Sequence, residues 1–183
     1  MQKVERRELL DLVTYDRERE AIRDAAMRAK ALRRIHVGPL TFLFENRETT
    51  RYQVLEMLRA ERLFRDEEIA HELDTYNELL GGPGELGCSL LIEIADPAER
   101  DRKLRAWLKL VEHLYVKTAG GAKVRARFDP RQVGEDRLSS VQYLKFDVKG
   151  AAPVAVGSDL PGLAAETILS PEQHEALARD LTS

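Results

Sequence analysis

The apolar positions change their period part-way along the chain. After Asp16, the expected N-cap, Ile22, Ala25, Ala29, Leu32 and Ile35 step by three and four with bases between them. That is the stripe of an amphipathic helix, which Gly38-Pro39 should end. Leu40 to Phe44 reads as a short buried strand. Asn46 then caps a helix with Val54, Leu55 and Leu58 on its apolar face. Asp66 caps another, whose Ile69, Leu73, Tyr76 and Leu80 recur at one helical face. Gly81-Gly82-Pro83-Gly84 cannot continue that helix and is the strongest internal boundary.

Beyond it the period falls to two. Cys88, Leu90, Ile92 and Ile94 alternate, and Asp96-Pro97 opens a helix carrying Leu104, Leu108 and Val111. Val124, Ala126 and Phe128 alternate with Lys123, Arg125 and Arg127, a half-buried strand with a basic face. Val141 to Val148 predicts another strand, and a Gly/Pro-rich stretch leads to a short one around Leu163–Leu169. Ser170-Pro171-Glu172-Gln173 is a capping box that starts a terminal helix. The expected fold class is α+β, with amino-terminal helices packed on a mainly antiparallel β-sheet. It is expected to be one domain, 1–183, with a helical lobe 1–80 and a sheet-rich lobe 85–183.

Composition narrows the setting. A chain of 183 residues can bury roughly 70% of its unfolded surface without staples. Its one cysteine cannot close an intramolecular disulfide, so a reducing, cytoplasmic setting is expected. No apolar run approaches the ~20 residues of a membrane span. The start, MQKVERRELL, lacks the apolar core of a secretory signal. Neither a membrane association nor a leader is expected.

The net charge of −3 conceals a segregation. Residues 61–101 hold 3 basic and 12 acidic residues, and 102–149 hold 12 basic and 5 acidic ones. The total excludes a generally cationic nucleic-acid binder, and a nucleic-acid role is not expected. The basic face of Lys123, Arg125 and Arg127, with Lys145 nearby, instead suits an acidic protein partner or the acidic segment of a second copy in a homodimer. A plain solvated sheet face is the other reading.

Motifs for chemistry are sparse. Glu68-Ile69-Ala70-His71 has the Glu-x-x-His spacing of di-iron bundles, but it has no second copy, and His71 falls opposite the apolar stripe. No metal site and no cofactor is expected. His36 reads as a helix C-terminal cation, and Cys88 as a small core residue. A nucleophile elbow, a P-loop and a dinucleotide fingerprint are absent from the sequence.

One polar cluster stands out between Arg33 and Asn77. Arg34, Glu45 and Asn46 precede a helix on which Tyr52, Glu56 and Arg59 share a face, while Glu72 and Tyr76 lie on the next helix. Such a group could bind a polar ligand, or form an interhelical ion-pair network.

The same stretch carries a resemblance. YDRERE, RRIHVGP, TFLFENRETTRYQVLEMLRAER, ELDTYNELL and GELGCSLLIEI, with SVQYLKFDV more loosely, resemble the bacterial domain of unknown function family 3501. The resemblance implies no catalytic or ligand residues. It implies a context: companions of rubrerythrin-type proteins and iron–sulfur oxidoreductases in a redox or oxidative-stress system. This chain has no cysteine set to hold such a cluster itself. The expected function is therefore an accessory or binding protein that docks a redox metalloprotein partner. The alternative is a small metal-independent enzyme, with Glu56 or Glu72 as acid or base and Arg59 as an anion clamp.

Overall fold

In the computed structural model residues 1–182 are described. The first helix, α1 (Leu12–Ala31), starts earlier than its apolar stripe suggests. Asp11, rather than Asp16, caps it by accepting from the Val13 and Thr14 backbone N–H groups, each at 3.0 Å. The helix also stops sooner. Gly38 has φ +57, so Gly38-Pro39 makes a hairpin turn instead of a helix stop. It joins β1 (Arg34–Val37) to β2 (Leu40–Glu45) in antiparallel register, Val37 opposite Leu40. His36 consequently lies on a strand, its Nδ1 2.8 Å from Thr41 Oγ1, and not at a helix end.

Asn46 caps α2 (Arg47–Glu61) as expected, accepting from the Thr49 N–H at 2.9 Å. In α3 (Asp66–Asn77) the N-cap is Arg65, one residue before the expected Asp66, and Glu68 accepts from the Arg65 N–H. Asn77 then holds the amino-terminal segment in strand fashion: its side-chain oxygen accepts from Val4 N–H and its amide donates to Val4 O. Tyr15, Val54, Leu55, Leu58, Ile69 and Leu73 form the core of this helical layer.

β3 (Glu85–Ile92) enters directly after the glycine turn. Gly87 is required there, since a Cβ would stand 1.8 Å from the Leu79 carbonyl oxygen. α4 (Pro97–Ala106) and α5 (Leu110–His113) lead to β4 (Leu114–Thr118) and β5 (Lys123–Arg125). The basic strand is shorter than its alternation predicts. Beyond Arg125 only Arg127 pairs, as an isolated bridge to Lys145 on β6 (Val141–Asp147). β7 (Pro153–Ser158), β8 (Ala165–Ile168) and α6 (Pro171–Thr182) complete the chain.

The strands form two antiparallel four-stranded sheets, ordered β1-β2-β3-β6 and β5-β4-β7-β8. Phe42, Phe44, Leu86, Leu90 and Phe146 of the first share a core with Leu114, Val116 and Val156 of the second. The sheets therefore face one another, as alternation with one buried side requires. Their edges meet at both sides: Arg127 bridges Lys145, and the Thr167 hydroxyl donates to the His36 carbonyl at 2.7 Å. The first sheet draws β1 and β2 from residues before the glycine turn and β3 and β6 from after it. Among the described residues no helix is long and apolar enough to cross a membrane. The α+β class stands.

Candidate functional site

The polar stretch divides into two separate networks. On the α1–α2 interface, Glu56 accepts from the Tyr15 hydroxyl at 2.5 Å and from both fork nitrogens of Arg19 at 2.7 and 2.8 Å. That bidentate pair is the main reason Glu56 is held down to about 2, with the Tyr15 bond adding to it against partial desolvation. Burial, with Glu56 alongside, pushes the Tyr15 phenol well above its ordinary value. Arg59 turns away to Asp16 at 2.5 Å. Tyr52 is buried beneath the Lys30 ammonium, 5.5 Å from its ring centre. These contacts tie α1 to α2 in register. A carboxylate held near 2 is poorly placed to exchange a proton near neutrality.

The second network ties the turn after α1 and the start of α2 to α6. Arg33, buried in the turn just after α1, donates to both carboxylate oxygens of Asp180 on α6 at 2.6 and 2.7 Å, and to the Ala29 carbonyl. Asn46 reaches the same carboxylate at 3.4 Å. Glu45, also buried, accepts from the Thr49 and Ser89 hydroxyls, each at 2.9 Å. Arg34, the neighbouring candidate, contributes its backbone carbonyl to Gln173. The residue that matters was thus displaced by one. Ala26, Ala29 and Arg33 continue one helical stripe, a signal that places Arg33 inward.

Most of the charge on the basic sheet face is matched within the chain. Asp159 takes a bidentate grip from Arg125 at 2.8 and 2.7 Å, with Lys123 at 3.2 Å and His113 at 3.1 Å. Arg125 chiefly, then His113 and Lys123, hold Asp159 well below the usual carboxylate range. Glu166 accepts from Lys117 and from the Tyr115 hydroxyl. Arg127 pairs with Glu85 at 2.5 Å. Of the twelve bases in 102–149, nine stand in ion pairs among the described residues; Arg102, Lys109 and Lys145 do not.

The acidic segment behaves differently. Glu67, Glu72, Asp74 and Glu78 form no ion pair among the described residues, and all but Glu72, which is half-buried, are exposed. They line the outer side of α3 and its end, where His71 is also exposed. No group of His, Cys, Asp and Glu there or elsewhere among the described residues could hold a metal ion.

Beside this face runs a groove of about 780 Å³ between the last turn of α3, the outer side of β6 and the 127–132 segment. Tyr76 forms part of one wall and Tyr143, half exposed at 53%, part of another. Cys88 lies at its floor, fully buried, and burial pushes its thiol well up. Of the cluster named from sequence, Tyr76 alone lines this groove. Glu72 is close enough to raise the Tyr76 phenol further, after burial, the main cause.

The family described as protein of unknown function (DUF3501) matches residues 3–181. The chain belongs to it. Among solved structures, a novel protein of unknown function from Burkholderia pseudomallei K96243 is similar over 98% of this chain and 100% of its own, at 27% identity and a TM-score of 0.88. The family fold thus extends over both sheets and all the helices described above. None of the curated proteins compared matches the chain.

Proposed function

We propose that this chain is an accessory or binding protein of a bacterial redox or oxidative-stress system, which docks a metalloprotein through the acidic outer face of α3. The observation that carries this reading is the charge left over after internal pairing. The sheet's bases are mostly matched within the chain, whereas Glu67, Asp74 and Glu78 are exposed and form no ion pair among the described residues. Exposed like charges on one helix face are mildly unfavourable alone and favour encounter with a basic surface. The partner class, a rubrerythrin-type protein or an iron–sulfur oxidoreductase, follows from the family resemblance. The reading as an enzyme with Glu56 as acid or base loses support from the Arg19–Tyr15 grip on that carboxylate.

The test is a binding titration of the purified chain against the rubrerythrin-type protein and the iron–sulfur oxidoreductase of its own host. Binding should weaken steeply between low and physiological salt. It should disappear in the variant Glu67→Gln/Asp74→Asn/Glu78→Gln. No binding to either protein at low salt overturns the proposal.

A further inference from the structure

We propose that the groove between α3, β6 and the 127–132 segment binds a small aromatic carboxylate, its ring against Tyr76, Tyr143 and Phe128 and its carboxylate on Lys145. Two independent features of the groove lead there.

The first is its walls. The chain has one Trp, five Tyr and five Phe, yet three of these eleven aromatic residues, Tyr76, Phe128 and Tyr143, line this one groove together with Leu79. Aromatic walls with a few polar groups are the usual composition of a small-molecule site, and 780 Å³ falls in the usual size range. Tyr143 keeps its ring available because its backbone is held independently. The Gln132 side chain accepts from Tyr143 N–H at 2.8 Å and donates to Tyr143 O at 2.9 Å.

The second is the charge at the groove's inner end. Arg131 is matched by Asp129 and Arg127 by Glu85, so those cations bring no net charge. Lys145 is different. It is half-buried, its ammonium donates to the Leu80 carbonyl, and among the described residues no carboxylate forms an ion pair with it. The two other bases of 102–149 without an ion pair among the described residues, Arg102 and Lys109, are exposed to water. Desolvation, the main cause, holds the Lys145 ammonium below the usual lysine value, and an arriving anion would reverse that. One unmatched cation suits one negative charge. A phosphate dianion would meet Glu85 and Glu78, whose fields already reach Lys145, that of Glu78 reaching Arg131 as well.

The experiment titrates the full chain with 2-naphthoate, following backbone amides by NMR, and repeats it with the neutral 2-naphthamide and with 2-naphthyl phosphate. A fragment of this size at low ligand efficiency half-saturates at about 1 mM. The expected result is 2-naphthoate binding with shifts centred on Tyr76, Tyr143 and Lys145. Tyr143→Ala weakens both the acid and the amide. Lys145→Met weakens the acid about tenfold, the factor of one charge-assisted hydrogen bond, and leaves the amide unchanged. Lys145→Arg retains the acid, which separates lost charge from a disturbed α3 end. No binding at about ten times that concentration, or shifts centred elsewhere, overturns the site. Equal affinity for the amide overturns the role of Lys145, and tighter binding of the phosphate overturns the carboxylate class.

Discussion

The segment from 61 to 101 and the segment from 102 to 149 carry opposite charges of similar size, and the fold treats them oppositely. The basic residues of β4 and β5 lie on strands, where neighbouring strands and turns bring acids within reach. Asp159, after β7, and Glu166, on β8, serve Lys117, Lys123 and Arg125. The acids of α3 lie on the outward side of a helix whose inward side holds Ile69 and Leu73. Asp66, at its start, pairs with Arg6, whereas Glu67 and Asp74 form no ion pair among the described residues. Charge along the chain and charge on the surface are therefore different quantities, and strand pairing is what separates them.

The largest effect should come from the most deeply matched pair. Arg33 and Asp180 are only 8% and 7% exposed at their side chains. Asp180→Ala leaves a guanidinium buried without its partner, and urea unfolding should register a loss of about 3–5 kcal/mol. Next comes Glu56. Its folded value of about 2 lies below the ordinary glutamate value of 4.5, so its contribution is complete above pH 4.5 and is lost as pH falls through 2. Allowing for partial exposure, wild type should lose about 1–2 kcal/mol across that window, and Glu56→Gln should flatten this part of the profile. A profile unchanged by the substitution would mean that the Arg19 fork does not hold the α1–α2 register.

The architecture was legible where local rules decide it. Asn46, Asp96 and Ser170 cap the helices that their spacing announces, and Cys88, Leu90 and Ile92 point inward from a strand. The hairpin at Gly38-Pro39 was misread because a turn between strands and a helix stop use the same residues. Only the pairing of Ile35 with Phe42 distinguishes them, and that contact is not encoded in either segment alone. The candidate cluster was half legible for a similar reason. Tyr52, Glu56 and Arg59 do share a helix, but the partners that define their roles, Lys30, Arg19 and Asp16, come from α1. Asp159 and Asp180, which neutralise Arg125 and Arg33, lie 34 and 147 residues away from them and carry no motif.

A smaller effect is expected at the neutralised sheet face. Asp159 is 30% exposed, so Asp159→Asn should cost about 1 kcal/mol in thermal or urea unfolding, in the range of partly exposed pairs. Its second consequence is more diagnostic. Lys123 and Arg125 would lose their acceptor, and the face would become basic in fact as well as in sequence. Retention on a heparin column at low salt should rise relative to wild type. Unchanged retention would show that Glu166 and the carbonyl of His113, which Arg125 also contacts, suffice to mask it.

The smallest effect on stability belongs to α3, and there the comparison is sharpest. In Glu67→Gln/Asp74→Asn/Glu78→Gln, three exposed carboxylates without ion pairs become neutral. No buried partner is orphaned, and the i, i+4 repulsion between Asp74 and Glu78 disappears, so stability should stay within about 0.5 kcal/mol of wild type, or rise slightly. Glu78 also lies on the Lys145 groove, so the same variant should bind 2-naphthoate at least as tightly as wild type. Loss of metalloprotein binding alongside intact unfolding and intact groove binding would assign the acidic face to the partner alone. A clear loss of stability would instead place those carboxylates among the matched charges, and the contrast between the two segments would collapse.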